Sequence, residues 1–178
     1  MVAYVQTEGS ILLPDTTLTV GGVFHCEHIR EGQVIDAWGQ SNLVVNEGLN
    51  ATLNVMFNGV TQIGTWYVGL FEGNYTPVST VTAATITAAA TECIAYNETV
   101  RQEYVEVAST AQSMTNSVSK ATFTFNATKT IYGAFLVSNS TKSGTTGTLF
   151  SAARFSASKA VVSADQLLVT YTLGAASA

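Results

Sequence analysis

The chain has 178 residues, enough for one domain with a sizeable hydrophobic core, or for one domain with an extended arm. Charged residues make up 11% of it, less than half of the roughly 25% usual for soluble domains, and the formal net charge is −5. No basic run is interleaved with aromatic residues, which argues against a nucleic-acid groove, and no apolar stretch approaches the ~20 residues of a membrane helix. The N-terminus lacks a basic region followed by an apolar one, so a secretory signal peptide is not indicated.

The missing charge is replaced by small and hydroxyl-bearing residues, and the remaining charge is unevenly distributed. Residues 1–119 carry −9 (eleven acidic, two basic), and residues 120–178 carry +4 (five basic, one acidic). The composition favours sheets with small polar outer faces or a subunit of a larger assembly. The asymmetry is expected of a dipole within one interleaved sheet, or of basic strands in one subunit that meet acidic strands in another.

The N-terminal region predicts an arm or an edge strand over residues 1–14, because it alternates weakly and ends at a Pro-Asp turn signal. A single domain over residues 15–178 follows. Residues 18–30 and 34–45 have the composition of two strands. A three-residue connection, Glu31-Gly32-Gln33, joins them and is typical of a bulged hairpin.

Residues 47–57 predict one short α-helix. Asn46 stands where an N-cap is expected, and Glu47 lies in the first turn, where a negative charge suits the positive end of the helix dipole. The large apolar residues recur at i, i+4, i+7 and i+8 and so share one helix face: Leu49, Leu53, Met56 and Phe57. Asn58-Gly59 predicts the end of the helix, because glycine adopts the left-handed conformation of a C-cap without strain.

Three segments in the middle of the chain differ in how clearly they predict secondary structure. Residues 65–71 form a β-branched and aromatic run that predicts a strand. Residues 81–90, with the sequence VTAATITAAA, mix helix-forming Ala with strand-forming Thr, Val and Ile, and we expect a long loop with one strand. Residues 104–107 predict a further strand.

The C-terminal third shows the clearest strand patterns. Residues 120–126 alternate apolar and polar side chains, as in a half-buried strand, whereas residues 131–138 are continuously apolar, as in a central strand covered on both faces. Residues 138–148 are rich in Ser, Thr and Gly and predict an exposed, mobile loop. Strands are then expected over residues 149–155 and 166–173, and a small-residue tail over 174–178. The whole predicts an all-β, mainly antiparallel, jelly-roll-like β-sandwich.

Four potential metal ligands lie in a row at His25-Cys26-Glu27-His28. On a strand, Cys26 and His28 share one side and His25 and Glu27 the other, so the four cannot close a tetrahedral site without outside ligands. Cys93 could supply one, but nothing in the sequence requires it. We therefore expect ordinary strand residues, no metal and reduced cysteines.

The sequence gives little indication of a catalytic site. Both histidines lie within four residues of each other and no GxSxG elbow exists, so a nucleophilic triad is not indicated. A glycosidase pair would have to come from Glu98, Glu103 and Glu106, but the last two would face opposite sides of a strand. Trp66 and Tyr67 could stack on a sugar, although on so apolar a strand at least one belongs in the core. The sequence predicts neither an enzyme nor a bound cofactor.

Several motifs carry a resemblance that the composition does not. NLVVNEGLNATLNVMFNGVTQIGTWYVGLF, KATFTFNATKTIYGAFLVSNSTKSGTTGTLFSAARF and ADQLLVTYTL contain a capped helix and four strand motifs in a fixed order. The chain resembles, over roughly residues 38–173, a group of virion structural proteins of tailed bacteriophages.

The resemblance implies a β-rich capsid cement (decoration) protein, or a tail or tail-fibre adaptor that contacts another tail protein or a host glycan. We expect the first: a protein made in the host cytoplasm that binds the major capsid protein in the virion as a dimer or trimer, without nucleic acid or membrane. The N-terminal arm supplies the expected interface residues Tyr4, Val5, Ile11 and Leu12. The alternative for this arm is an edge strand of the same sandwich.

Overall fold

Two antiparallel sheets and two short helices form the part of the chain that the computed structural model describes, residues 6–7, 10–11 and 18–177. A separate pair of two-residue strands, β1 (Gln6–Thr7) and β2 (Ser10–Ile11), precedes them. The remaining elements, in chain order, are β3 (Leu18–Arg30), β4 (Gln33–Ser41), β5 (Leu43–Val44), α1 (Asn46–Phe57), β6 (Tyr67–Phe71), α2 (Ala83–Ala89), β7 (Glu92–Cys93), β8 (Gln102–Glu103), β9 (Ser113–Thr115), β10 (Ala121–Thr124), β11 (Lys129–Val137), β12 (Leu149–Val161) and β13 (Gln166–Ser177). The predicted all-β class is confirmed.

The two sheets pack as a β-sandwich. The five-stranded sheet has the order β10-β13-β3-β4, with β9 beside β13, and the six-stranded sheet has the order β5-β12-β11-β6-β7, with β8 beside β6. The longest pairing joins β13 to β3, from Gln166–Ile29 at one end to Ser177–Leu18 at the other. The first and last long strands are therefore neighbours at the centre of one sheet.

Alternation and continuous burial distinguish the strands as predicted. Along β10 and the first half of β13 every second residue points into the core, so that Phe123, Leu167 and Val169 are buried between the sheets. β11 is buried on both faces over most of its length, because α2 covers the outer face of its sheet. The burial of Phe135 beneath α2 confirms the prediction of a central strand.

The second helix is a correction to the sequence analysis. Residues 81–90 were expected to form a loop with one strand, but α2 occupies Ala83–Ala89. Thr82 and Thr85 form a reciprocal capping box, each side chain bonded to the backbone of the other, and this satisfies the orphan donors that begin a helix. Ile86 then packs into the core beneath the helix.

The strand expected over residues 104–107 does not form, and the structure has instead the two-residue β8, Gln102–Glu103. Three element ends also differ from the predictions. The β3–β4 turn contains two residues, Glu31 and Gly32, both at positive φ, and the bulge lies later, where Ile35 is extra on β4. The expected tail after residue 173 is instead strand, since β13 continues to Ser177 beside β3. β12 likewise extends beyond its predicted end at residue 155, to Val161.

Candidate functional site

α1 packs on the sandwich through its small side chains. Gly48 is buried, and Ala51, Thr52 and Val55 are half-buried on the same side of the helix. A Cβ at position 48 would collide with the backbone of Phe150 in β12, so only glycine permits this approach. The helix therefore lies very close to the sheet along this side.

The opposite side of α1 presents large apolar side chains to solvent. Leu49 is 39% exposed, Leu53 55%, Met56 62% and Phe57 77%, and Val60 just beyond the helix is 50% exposed. We call the four helical residues of this set the α1 face; Val60 lies instead beside Asn54 and Val55. The sequence correctly predicted that Leu49, Leu53, Met56 and Phe57 share one face of a helix. It did not predict that this face is exposed, because the exposure results from the close approach of Gly48 to β12, which turns the small side chains toward the sheet.

The α1 face is also uncharged. The sequence contains no charged residue from Gly48 to Phe71. Glu47 precedes the face, and its carboxylate accepts hydrogen bonds from the backbone N–H groups of Ala83 (2.8 Å) and Leu149 (2.7 Å). These bonds fasten α1 to α2 and β12. The first residue of α1 is Asn46, whereas Val45 holds the N-cap position without a side-chain bond, so the predicted cap is displaced by one residue.

A cavity of about 380 Å³ lies beside the α1 face, and Met56 borders both. α1, the connection from α1 to β6, and side chains of both sheets enclose it. Most of its lining is apolar: Ala51, Val55, Met56, Ile63, Trp66, Tyr104, Met114, Leu136, Phe150 and Leu173, with Thr52, Gln62 and Glu106. The lining comes from widely separated segments, which explains why the sequence did not reveal it.

The aromatic residues considered for sugar stacking are partly in the core. Trp66 contacts Phe150 edge to face at 5.6 Å between ring centroids, and Tyr67 is half-buried in β6, opposite Glu103. The Tyr104 hydroxyl is buried without a hydrogen-bond partner among the described residues, and burial raises the pKa of Tyr104 well above its usual value. These rings contribute mainly to packing.

The four residues considered as metal ligands divide as the strand pattern predicts. Cys26 and His28 are buried, whereas His25 is exposed and Glu27 half-buried on the other side of β3. His28 Nε2 lies 2.8 Å from a carboxylate oxygen of Asp165. Within residues 18–177, no cluster of three or more potential metal ligands occurs.

Asp165 joins the end of β3 to the start of β13. Its buried carboxylate accepts hydrogen bonds from Arg30 Nε (2.8 Å) and Nη2 (2.7 Å) and from the backbone N–H of Val162 (2.8 Å). The hydrogen bonds from Arg30 hold the pKa of Asp165 well below its usual range, and those from Val162 and His28 act in the same direction. All of these contacts hold strands together.

A buried ion pair anchors the loop between β11 and β12. Arg101, only 1% exposed, donates from Nε and Nη2 to the two carboxylate oxygens of Glu92, each at 2.8 Å. It also donates to the backbone oxygens of Asn139 (2.8 Å) and Gly144 (3.0 Å), while the N–H of Ser143 donates to Glu92. The loop was expected to be exposed throughout, but several of its residues are half-buried around this anchor.

The candidate acids occupy three different environments. Glu98 accepts hydrogen bonds from the backbone N–H of Thr124, Glu103 lies in β8 opposite Tyr67, and Glu106 borders the cavity. The three carboxylates therefore lie in separate surroundings.

The expected interface residues of the N-terminal arm fall almost entirely outside the described part of the chain. Tyr4, Val5 and Leu12 lie outside it, and Ile11 is described only as part of β2, where it pairs with Gln6. Their role as an interface stays a prediction.

The chain matches no protein-family model, and a search of curated proteins finds no significant similarity. Among the described residues, neither helix has the length and apolar character required to span a membrane.

Proposed function

We propose that this protein is a virion structural protein that binds and stabilises a bacteriophage capsid shell, as a cement protein with a jelly-roll-like sandwich. The observation that carries the proposal is the α1 face: an exposed, uncharged set of large apolar side chains on one side of a helix that packs on the sandwich. The motif resemblance to phage virion proteins supplies the class of partner, the major capsid protein.

The size of the α1 face supports a role in binding. Side chains of this size at these exposures present on the order of 500 Å² of apolar surface, which is within the roughly 300–600 Å² of the largest apolar patch on a typical monomer, a patch that is often functional. At about 25 cal/mol per Å², covering that area is favourable by roughly 12 kcal/mol before the costs of association. A surface of this kind fits an interface with another protein.

Stabilisation of the shell then follows from mass action. A protein that binds the assembled lattice but not the free subunits shifts the equilibrium toward the lattice by RT ln(1 + [L]/Kd), about 2.7 kcal/mol for each site at a free concentration of 100 Kd. A capsid offers many equivalent sites, and a bound oligomer that reaches several of them adds avidity. The protein needs no catalytic group to act in this way.

The buried polar groups stabilise the fold that presents the α1 face to a partner. Asp165 holds two strands, Arg101 holds a loop, and Glu47 holds both helices to β12. Each satisfied cluster rigidifies the body that presents the α1 face. Rigid presentation lowers the entropy lost when a partner binds.

Co-sedimentation with purified capsids that lack the protein tests the proposal. We expect the wild-type chain to pellet with capsids, and Leu53→Ser and Phe57→Ser to weaken binding at least 10-fold with unchanged folding. Val118→Ser is the matched control, because Val118 is 85% exposed but lies outside the α1 face. Equal binding by all three variants would overturn the role of this face.

Two further experiments in the same assay test the N-terminal arm as a contact and distinguish a capsid protein from a tail protein. A chain that lacks residues 1–13 is expected to fold and to bind capsids poorly if the N-terminal arm makes an extended contact. Binding to purified tails, with none to capsids, would overturn the cement proposal in favour of a tail or tail-fibre adaptor.

A further inference from the structure

β4 forms one complete edge of the five-stranded sheet. It has nine residues, Gln33–Ser41, and among the described residues it pairs with β3 alone. At the opposite edge of the same sheet lie only β10, with four residues, and β9, with three. Long unpaired edges are rare in soluble proteins because their free N–H and C=O groups accept another strand.

The backbone groups that β4 offers can be identified from its pairing with β3. The N–H of Asn42, directly after β4, donates to the oxygen of Gly22 at 2.9 Å. In an antiparallel ladder, hydrogen-bonded pairs alternate with pairs that are not bonded to each other. The register therefore leaves the N–H and C=O groups of Ala37, Gly39 and Ser41 directed away from β3, toward the free edge, where the Ser41 oxygen accepts only a long, exposed hydrogen bond from the Gln40 side chain (3.4 Å).

This part of the edge carries no protective device against pairing. Residues 36–41 lie beyond the bulge at Ile35, and they contain neither lysine nor proline, the residues that most often block an edge. Their one charged residue, Asp36, is bound by Lys159 at 2.7 Å. By contrast, β12 on the neighbouring sheet, which β5 covers only at Ser151 and Ala152, carries the cations Arg154 and Lys159.

We propose that β4 pairs antiparallel with β4 of a second copy of this chain about a twofold axis at Gly39. In this register Gly39 faces its own copy, and Ala37 of each chain faces Ser41 of the other. Each of these three pairs exchanges two hydrogen bonds, about six in all, and the five-stranded sheets of the two copies become continuous.

The edge fits its own copy in charge and in size. The twofold register places Asp36 opposite Asn42 and Trp38 opposite Gln40, so no like charges meet although each chain carries a net charge of −5. The three residues whose backbone groups face the axis have the small side chains of alanine, glycine and serine. These side chains share one face of the new strand pair, where none is bulky enough to collide with its neighbour across the axis.

The mass of the purified chain in solution is the first test. We expect light scattering coupled to size-exclusion chromatography to give a dimer for the wild type and for Ala37→Ser, and a monomer for Ala37→Pro. Proline at this position removes an N–H that β3 does not use, so the fold is retained, as circular dichroism will verify. A monomeric wild type, or a dimer unaffected by Ala37→Pro, would overturn the proposal.

The second test is a disulfide at the twofold axis. Its formation depends directly on which residues of the two β4 strands lie opposite each other. Gly39→Cys places two Cα atoms about 5.5 Å apart, within disulfide range, and air oxidation should link most of the chains. Ser41→Cys is the matched control on the same edge, because its two copies lie four residues apart, about 13 Å. Equal cross-linking of the two variants, or none in either, would overturn the register. Both tests use the purified chain and are independent of the proposed capsid role.

Discussion

Arg101→Met removes one partner of the buried ion pair that fastens the loop between β11 and β12. The side chains of Arg101 and Glu92 are almost completely inaccessible to solvent. The substitution deletes the hydrogen bonds to Glu92, Asn139 and Gly144, together with the packing of the guanidinium over the Phe135 ring at 5.3 Å. Glu92 is then left as a buried carboxylate.

The expected cost follows from that uncompensated charge. Breaking a buried ion pair from one side costs about 3–5 kcal/mol. The N–H of Ser143 still donates to Glu92, which favours the lower part of this range. Since domains are stable by only about 5–15 kcal/mol, the variant loses a large fraction of its free energy of unfolding.

Urea unfolding followed by circular dichroism measures this loss. With a slope of about 2 kcal/mol per M, a loss of about 3–4 kcal/mol should lower the midpoint by about 1.5–2 M. Lys120→Met is the matched control, because it breaks a pair with Glu27 in which each side chain is about one-third exposed, and it should cost less than about 1 kcal/mol. The double variant Arg101→Met/Glu92→Met should recover part of the loss. Equal midpoints for Arg101→Met and Lys120→Met would refute the reasoning.

Three further predictions concern acid stability, helix packing and the thiols. Folding lowers the pKa of Asp165, so its carboxylate contributes stability that is present above the unfolded-state pKa of 3.8 and is lost as the pH falls toward the folded-state pKa. The urea midpoint of Asp165→Asn should therefore vary less than that of the wild type between pH 5 and pH 2. Gly48→Ala should destabilise the protein by about 1–3 kcal/mol in thermal unfolding, because its Cβ meets backbone, whereas Gly64→Ala, in open space, should change stability little. Burial raises the pKa of Cys93 to about 11 and that of Cys26 still further. A thiol reagent at pH 8 should therefore label neither cysteine in the native chain and both in guanidinium. Rapid labelling of the native chain would contradict their burial.

Local pattern was sufficient for much of the sheet structure. Alternating side chains identified β10 and β13, and continuous apolar character identified β11, because burial on one face or on both leaves a direct trace in the sequence. α1 was located almost to its ends, with the left-handed Gly59 as its stop signal. These features depend on neighbours within a few residues.

The rest depended on contacts that no local pattern encodes. The orientation of α1 is fixed by a glycine that meets a strand about one hundred residues later, and so the exposure of its apolar face could not be read from periodicity. α2 required a capping box between two threonines in a segment of mixed propensity. The bond between His28 and Asp165 spans 137 positions, and the cavity beside α1 combines six or more separate segments.

Immunogold labelling of intact particles with an antibody to this chain tests the central claim most directly. The capsid proposal predicts gold distributed over the head, in many copies per particle. Gold confined to the tail, or absent from particles altogether, would contradict it.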